Sequence, residues 1–599
     1  MRTKWFGVVS LLIVAGLILA ACAPAAGTPV VQTVIVEGEV MVVTATPEAG
    51  PPEKKVVTGM LGYNDVPTLD PALAEDTSAT TIVNATTIGL TYLNEVDATL
   101  HPGMAESWDV SEDGLTYTFK LRQGIPWVKF NGTDVVEVMD CQETPAVRYV
   151  TANDFEYGIK RALDPATASP YAYVLGFAVK GAAEALDGTG TVDDVAVKAI
   201  DDYTLEVTFL EDVAYNTNII GLWTAHATPK WLIEGDDCTD ARGDRWFEPG
   251  FFQSYGPFTL KDWVHDSYIT IMKNPFWPGT PDIPVPMLDE VVQYFLDSVP
   301  AFAEYEAGNL DFTEVPLADI DRVKADPVLS QEYTSYPYGC TYYYGYNTKA
   351  PFVDDVRVRQ ALSMAVDRQS LIDNVTKGGQ DPAQWFTRPG MVAAPTIELF
   401  PDLGIKYDAT AAKALLDEYL AEKGITAADV DLTLMFNTSS GHQKIAEAIQ
   451  QMWKDNLGLD VKLTNQEWQV YLATTKDPVN TPQIWRMGWC LDYPDANNWM
   501  REVFIKGGQS NPPAGGGINW GPGDPFYDDW EKIILAAAVE KDEAKRTQMY
   551  ADAEQLFVGD AAAIIPLYFY TNNVVTKPYV TRTFPVTGHN DFTLWDTSK

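Results

Sequence analysis

Two short segments alternate apolar and polar residues with the two-residue period of a β-strand. Their apolar positions are Leu115, Tyr117, Phe119 and Leu121 in the first, and Tyr203, Leu205, Val207 and Phe209 in the second. Successive side chains of a strand point to opposite faces, so each segment should bury one face and expose the other. The pattern therefore predicts two half-buried strands.

A three- and four-residue spacing, typical of helices, appears further along the chain. Asp354 and Asp355 precede a run whose apolar residues are Val358, Leu362, Ala365, Val366 and Leu371. An Asp at the start of such a run indicates an N-cap, because its carboxylate can accept hydrogen bonds from the first free N–H groups. Residues 528–558 show a similar pattern. Helices and strands alternate without an internal repeat, which predicts α/β lobes.

The N-terminus carries the pattern of an export signal. Met1 to Lys4 is cationic, and Trp5 to Ala21 is almost entirely apolar and ends in small residues before Cys22. The segment Leu19 to Cys22 resembles the bacterial lipoprotein signal, in which the Cys becomes the lipid-modified first residue of the mature chain. A plain secretory signal followed by a Cys is the alternative. No later run is long and apolar enough to predict a membrane span.

Residues 22–55 are rich in Ala, Pro, Thr, Val and Gly and show no helical period. We predict a lipid-anchored flexible tether, which as a coil would span about 30 Å. The Val-rich part of this segment could instead pair as a strand.

Composition restricts the class of partner. The chain has 599 residues, and its 42 Lys and Arg against 83 Asp and Glu give a net charge of −41. This charge argues against nucleic acid as a partner, since phosphate binding needs clustered cations. Hydrophobic residues make up 46% of the chain, enough for packed cores in about three or four domains.

The motifs of common enzymes and metal sites are absent from the sequence. It has no phosphate-binding loop, nucleophile elbow, HExxH or GxGxxG motif, and its five histidines are scattered. From these motifs an enzyme stays possible but unsupported, and the prediction that we adopt for the whole chain is a protein that is not an enzyme and needs no metal or cofactor. With Cys22 assigned to lipid, four cysteines remain, which predicts two disulfides with three pairings open. These cysteines are Cys141, Cys238, Cys340 and Cys490.

Nine segments, spread in order over nearly the whole mature chain, point to a known family. They are LDP (69–71), GMAESWDVSEDGLTYTFKLR (103–122), DPATASPYAYVL (164–175), VKAIDDYTLEVTF (197–209), YGPFTLKDWV (255–264), CTYYYGYNTKAPFVDDVRVRQALSMAVDR (340–368), NQEW (465–468), RMGWCLDYPDANNW (486–499) and IIPLYFY (564–570). Together they resemble the extracytoplasmic substrate-binding proteins of ABC importers in the dipeptide, oligopeptide and nickel-binding family, solute-binding protein family 5. The resemblance is greatest to the oligopeptide-binding members.

The resemblance implies an α/β, type II periplasmic-binding-protein-like clamshell of two lobes with an additional third domain. A ligand that contacts both lobes favours the closed state. The implied segments are a signal peptide 1–21, a tether 22–55, lobe I from 56–88, 229–338 and 571–599, an extra domain 89–228, and lobe II from 339–570.

The segment from Arg486 to Asp492 carries most of the implied binding site. Asp492 matches the carboxylate that meets the α-ammonium of a peptide, although an Asp two residues before a proline is by itself typical of a turn. Gly488 and Cys490 match positions whose backbone pairs with the extended ligand. Arg486 matches a cation that meets the ligand carboxylate for some peptide lengths.

Further contacts are implied outside that segment. Trp468 and Trp489 match aromatic walls of side-chain pockets, where aromatic faces accept many residue types; from the sequence alone either tryptophan could equally be core. Four residues align with contacts from the other lobe or the hinge, namely Glu75, Tyr171, Tyr338 and Tyr343.

The resemblance also bears on the disulfides. Cys340 and Cys490 match two cysteines that are bridged in oligopeptide-binding members. Cys141 and Cys238 are then left to pair with each other, although they lie in stretches, 131–150 and 235–240, that look inserted relative to the family.

The function implied is capture of short peptides between two lobes and their delivery to an ABC permease with its ATPase subunits. We expect a monomer, lipid-anchored to the outer face of the cytoplasmic membrane, in the cell envelope or periplasm. The main alternative is the same scaffold binding oligosaccharides or another small solute, such as a nickel chelate or haem. More distant alternatives are a secreted hydrolase that uses two carboxylates and an adhesive surface lipoprotein.

Overall fold

The computed structural model describes residues 31–36, 39–44, 54–477, 479–510 and 519–599. The predicted signal peptide 1–21 and the lipidation residue Cys22 lie outside these ranges. The chain divides into two compact units, Met1–Lys54 and Lys55–Lys599.

The first unit contains a two-stranded ribbon. Val31–Val36 (β1) pairs antiparallel with Glu39–Thr44 (β2), from Val31 opposite Thr44 to Val36 opposite Glu39. The Val-rich part of the predicted tether thus pairs as strands, which suits β-branched residues. Residues 22–30, 37–38 and 45–53 of the predicted tether lie outside the described residues.

The second unit mixes helices and strands throughout. Its strands are Val56–Gly62 (β3), Thr91–Leu93 (β4), Leu100–Pro102 (β5), Ala105–Val110 (β6), Thr116–Leu121 (β7), Val128–Phe130 (β8), Val135–Glu137 (β9), Val197–Asp201 (β10), Thr204–Thr208 (β11), Phe258–Val264 (β12), Tyr268–Lys273 (β13), Glu290–Phe295 (β14), Phe312–Glu314 (β15), Tyr333–Tyr346 (β16), Asp381–Pro382 (β17), Thr433–Asn437 (β18), Lys462–Gln466 (β19), Ile484–Cys490 (β20), Ile564–Thr576 (β21), Val580–Thr581 (β22) and Asp596–Thr597 (β23).

The α-helices of the second unit are Thr77–Thr86, Ala152–Leu163, Ala172–Ala178, Ala182–Asp187, Asn216–Ile219, Lys230–Ile233, Ser298–Glu306, Ile320–Ala325, Leu329–Glu332, Val356–Met364, Arg368–Leu371, Ala409–Lys423, Ser440–Leu457, Trp468–Thr474, Ala496–Phe504, Tyr527–Val539 and Glu543–Glu554. Short 3-10 or π segments occupy Val192–Asp194, Trp223–Ala225, Gly243–Arg245, Ile372–Thr376, Ala427–Asp429, Gln555–Asp560 and Phe592–Leu594. In the described part of the chain, no helix is both long and apolar enough to cross a membrane.

Both predicted strands belong to a four-stranded antiparallel sheet in the order β10-β11-β7-β6. Leu205 lies opposite Phe119, and Val207 lies opposite Tyr117. These side chains are buried, as the alternating pattern predicts. Cross-strand packing of such aromatic and β-branched pairs stabilises the sheet.

A larger mixed sheet runs through the rest of the unit in the order β12-β13-β14-β3-β15-β21-β16-β20-β18-β19, with β17 against β21. The longest strands, β16 and β21, are neighbours at its centre. Their antiparallel register runs to Pro337 opposite Thr571, shifts, and resumes with Thr341 opposite Phe569. The two halves of the sheet are thus joined through one pair of strands with an interrupted register.

The predicted helices form, with shorter spans than the patterns suggest. Asp355 caps Val356–Met364, its carboxylate accepting from the Arg357 N–H at 2.9 Å. The pattern at 528–558 becomes two helices, Tyr527–Val539 and Glu543–Glu554. Asp542 caps the second helix. The helical spacing of apolar residues therefore continues through 528–558, although the helix itself ends and a new one begins.

The structure contains both predicted disulfides. Cys340 and Cys490 lie opposite each other on β16 and β20 and are bonded. Cys141 is bonded to Cys238 across 97 residues of sequence, joining the two stretches that look inserted. Arg148 supports this connection through an ion pair with Asp236.

We expect the double variant Cys141→Ser, Cys238→Ser to have a lower free energy of unfolding than the wild-type protein and the same ligand affinity. The bridge closes a loop of 97 residues, and a native bridge of this kind contributes about 2 to 4 kcal/mol, chiefly by restricting the unfolded chain. Thermal unfolding of the variant and of the wild-type protein would measure the loss. Unfolding temperatures that match in the absence of reductant would contradict a stabilising role.

Candidate ligand-binding site

Nine of the ten predicted ligand-binding residues line one cavity of about 310 Å³. The cavity lies beside β20 and the residues that follow it, and also touches β3, the start of helix Thr77–Thr86 and β21. The nine residues are Glu75, Tyr171, Tyr338, Trp468, Arg486, Gly488, Trp489, Cys490 and Asp492. Segments distant in sequence thus build a single concave site, the usual form of a small-ligand site.

Asp492 presents a buried carboxylate to this cavity. Its Oδ2 accepts hydrogen bonds from the Tyr171 hydroxyl at 2.8 Å and from the Asn498 amide at 3.1 Å. Burial raises the pKa of Asp492 to about 7, and the two hydrogen bonds partly oppose that rise. Within the described residues no Lys, Arg or His forms an ion pair with Asp492. The site therefore favours a ligand that brings a positive charge.

Arg486 supplies a buried positive charge to the same cavity. Its guanidinium donates to Asn437 Oδ1 at 3.2 Å and to the Tyr570 hydroxyl, and lies 4.4 Å from the centre of the Tyr342 ring. Among the described residues it has no carboxylate partner. A ligand anion could pair with it without displacing an internal ion pair.

Gly488 lies between these two charged residues on β20. A Cβ at this position would lie 3.0 Å from the Tyr570 hydroxyl and 3.4 Å from Arg486 Nη2, so glycine leaves the space above the strand open. Cys490 follows two residues later. Because its sulfur is bonded to Cys340, Cys490 offers a ligand its backbone rather than a thiol.

One edge of β20 is only partly paired. β16 pairs with β20 from Tyr346 opposite Ile484 to Cys340 opposite Cys490. On the other edge, in the described part of the chain, β18 pairs only with Ile484 and Trp485. The backbone from Met487 to Cys490 therefore has an edge facing the cavity at which an extended chain could add as a strand.

Residues from other elements close over the site. The Glu75 carboxylate forms an ion pair with the Lys476 ammonium group at 2.6 Å. The Tyr338 hydroxyl donates a hydrogen bond to the Gly588 carbonyl at 3.1 Å. Trp468 is half-buried and stacks on Tyr471. These contacts enclose the cavity on several sides.

The two remaining predictions differ in detail from the structure. Trp489 lines the cavity, but its indole is buried and donates to Asn498 Oδ1 at 3.1 Å, which positions Asn498 beside Asp492. Tyr343 does not line the cavity. It is fully buried against Phe386, Phe504 and Trp485. Alternate residues of β16 face opposite sides of the sheet, and the neighbouring Tyr342 packs against the cavity residues Arg486 and Tyr570.

Several lining residues were not among the predicted ligand contacts. They are Tyr63, Asp76, Glu314, Asn437, His442 and Tyr570. Asp76 could have been noticed as the N-cap of helix Thr77–Thr86, and Tyr570 as the last residue of the segment IIPLYFY. Burial raises the pKa of Glu314 and lowers that of His442 well below its usual value. Burial thus disfavours the charged form of both side chains in the cavity wall.

Comparison with known proteins shows the class to which this fold belongs. Residues 99–511 match the family model of bacterial extracellular solute-binding proteins, family 5, middle region. The oligopeptide-binding protein OppA of Bacillus subtilis is 34% identical over 526 residues, which cover 85% of this chain and 86% of that protein.

Solved structures agree in fold over most of the chain. The murein tripeptide-binding protein MppA of Escherichia coli superposes with a TM-score of 0.77 at 27% identity, over 91% of this chain and 99% of that one. OppA of Haemophilus influenzae in complex with RPPGFSPFR also gives 0.77, at 25% identity and the same coverage. MppA in its unliganded open form gives only 0.59. The present structure is therefore more similar to the peptide complex of OppA than to the open form of MppA.

These findings confirm a two-lobed, periplasmic-binding-protein-like fold with a third domain. The chain belongs to the bacterial extracellular solute-binding proteins of family 5. Members of this family are binding proteins rather than enzymes, and its named relatives include a periplasmic protein.

We expect Asp492→Asn to raise the unfolding temperature of the ligand-free protein at pH 8. The folded-state pKa of Asp492, about 7, lies above the value of about 3.9 in an unfolded chain. The stability due to its bound proton is fully present below pH 3.9 and is lost as the pH rises through about 7. Asn avoids this loss because it carries no charge.

Thermal unfolding of both proteins between pH 4 and pH 8 would measure the effect. The gap between them should widen with pH, whereas a gap independent of pH would contradict the assignment. Asp529→Asn is a matched control, because Asp529 is exposed and lies outside the cavity.

Proposed function

We propose that this protein captures short peptides with a free N-terminus between its two lobes. This proposal rests chiefly on the buried carboxylate of Asp492. It accepts two hydrogen bonds but has no cationic partner among the described residues. An α-ammonium group, present in every unblocked peptide, would complete this site through a charge-assisted hydrogen bond.

The arrangement of the cavity supports an extended, zwitterionic ligand. Arg486 on β20 offers a positive charge, which could pair with a ligand carboxylate, and Asp492 follows two residues after the end of that strand. Between the two charges, the free edge from Met487 to Cys490 offers backbone groups that pair with any peptide sequence. The names of OppA and MppA, which refer to oligopeptides and a murein tripeptide, are consistent with such a ligand.

The domain limits remain those that the family resemblance implies. We place lobe I at 56–88, 229–338 and 571–599, the extra domain at 89–228, and lobe II at 339–570. The interrupted register between Pro337 and Thr341 supports a hinge at the boundaries near 338 and 570, since a break in the ladder permits bending.

The transport role follows from this class of protein. A peptide enclosed by both lobes stabilises the closed state, which an ABC permease with its ATPase subunits can distinguish from the open one. The proposed lipid on Cys22 would hold a monomer at the outer face of the cytoplasmic membrane, within the cell envelope or periplasm, and concentrate it near that permease.

We expect Asp492→Ala to weaken the binding of Ala-Ala-Ala at least tenfold. Removing one partner of a buried charge pair typically costs about 2 to 5 kcal/mol. Calorimetric titration of the wild-type protein and the variant with Ala-Ala-Ala and with N-acetyl-Ala-Ala-Ala would measure the loss. Acetylation removes the ammonium group, so it should abolish tight binding to the wild-type protein and matter little to the variant.

Asp402→Ala is the control, because the Asp402 side chain is 95% exposed and lies outside the cavity. Equal affinity of the wild-type protein for the free and acetylated peptides would refute the role of Asp492. Native mass spectrometry of the purified protein gives an independent test: release of an oligosaccharide or a metal chelate, rather than peptides, would refute the peptide ligand.

A further inference from the structure

We propose that the Cys141–Cys238 bridge is a reversible attachment site, at which a small thiol carrying a positive charge forms a mixed disulfide with Cys238. Neither cysteine lines the main cavity, so the site is independent of the proposed function. Both cysteines lie in the stretches, 131–150 and 235–240, that look inserted relative to the family. The site therefore belongs to a part of this chain that the family resemblance does not describe.

The two bridges differ in their access to solvent. Cys238 is exposed and Cys141 is half-buried. Cys340 is fully buried, and its partner Cys490 lies in the wall of the main cavity. Thiol exchange begins when a thiolate reaches one sulfur of a bridge. Exposure therefore favours the Cys141–Cys238 bridge, and within it attack at Cys238.

Neighbouring side chains can stabilise the sulfur that leaves. When a thiolate attacks Cys238 Sγ, a new S–S bond forms there, the old bond breaks, and its electron pair goes to Cys141 Sγ. Arg148 Nη2 lies 3.6 Å from Cys141 Sγ, so its positive charge can stabilise the thiolate. Asp236 Oδ1 lies 3.1 Å from the same sulfur and could accept a hydrogen bond after solvent protonates it. Cys141 therefore has a partner in either protonation state, which favours the adduct on Cys238.

Contacts that do not involve the bridge hold the two loops in place. The Asp140 carboxylate accepts hydrogen bonds from two backbone N–H groups of its own loop, at 2.9 and 3.2 Å. Asp236 likewise accepts from two N–H groups of the second loop, at 2.8 and 3.1 Å. Arg148 joins the loops through its ion pair with Asp236. The freed Cys141 thus stays close to Cys238, where its thiolate can displace the small thiol and re-form the bridge.

Acidic residues around the bridge select the charge of the thiol. Segments 137–148 and 234–242 together contain seven Asp and Glu against two Arg and no Lys, and three of the exposed acids are Glu143, Asp237 and Asp240. The attacking thiolate is itself an anion, so a second negative charge on it increases the repulsion. An ammonium group on the same molecule offsets that repulsion and raises its local concentration. The site therefore favours an aminothiol over an acidic thiol.

Three small thiols test the assignment at pH 8: cysteamine, which carries an ammonium group, neutral 2-mercaptoethanol, and 2-mercaptoethanesulfonate, which carries a sulfonate. Mass spectrometry of the intact protein follows the adduct, and peptide mapping locates it. We expect the adduct on Cys238, a free thiol at Cys141, and an intact Cys340–Cys490 bridge.

The rate of each thiol is divided by its rate with 2-hydroxyethyl disulfide, a neutral small disulfide. This ratio removes differences in thiolate fraction and in intrinsic reactivity. At low salt, the corrected rate of cysteamine should exceed that of 2-mercaptoethanesulfonate at least fivefold. The preference should shrink in 1 M NaCl, because salt screens the charges of the acidic side chains.

The double variant Asp237→Asn, Asp240→Asn should reduce this preference at least twofold and leave the adduct on Cys238. Asp529→Asn is the matched control, since Asp529 is exposed and lies on helix Tyr527–Val539, outside both acidic segments. It should keep the full preference. An unchanged preference in the double variant would overturn the role of these acids.

Other results would overturn the site itself. An adduct on Cys141, or cleavage of the Cys340–Cys490 bridge at the same rate, would refute the assignment of Cys238. The absence of any adduct with cysteamine would refute the attachment site. Equal corrected rates for the three thiols would refute the selection of a cationic thiol. Each of these results leaves the proposed peptide binding untouched, because that function rests on Asp492.

Discussion

The antiparallel pairing of β16 with β21 is the constraint on which the rest of the second unit depends. Within the described residues, β15 and β20 are connected in the large sheet only through β21 and β16. Their register is interrupted between Pro337 and Thr341, beside the cavity residues Tyr338 and Tyr570. Backbone hydrogen bonds therefore fix the two halves of the sheet together, and the irregularity in register coincides with the hinge that we propose.

Asp492 is a buried carboxylate of the cavity without an ion-pair partner among the described residues. Burial raises its pKa to about 7. By contrast, Asp495 is held by Arg546 through two contacts of 2.7 Å. A paired carboxylate adds to the structure, whereas an unpaired one destabilises the empty closed state until a ligand supplies the missing charge. In the function that we propose, binding and closure are linked through this one carboxylate.

Contacts near the cavity join segments that are distant in sequence. Tyr215 stacks on Tyr493 with ring centres 5.3 Å apart, and Lys541 pairs with Asp212 at 3.0 Å. On another side, the Ser440 hydroxyl donates to Asp297 at 2.7 Å. Since exposed ion pairs contribute little individually, the aromatic packing contributes more to stability than the ion pair among these contacts. Aromatic residues, which make up 12% of the chain, therefore pack both in the core and in contacts such as Tyr215 with Tyr493.

Local patterns by themselves determined the alternating strands at Tyr117 and Leu205 and the cap at Asp355, because these depend on neighbours close in sequence. The family resemblance added three predictions: the lobed fold, the place of Asp492 in the binding site and the pairing of Cys340 with Cys490. Only the tertiary structure decided that Tyr343 faces the core and that Glu314 and His442 line the cavity. Likewise, only it brought Glu95 and Asp591 together, across 496 residues of sequence. Burial, and with it the charge of a carboxylate, depends on which distant segments pack around it, and no local pattern records that information.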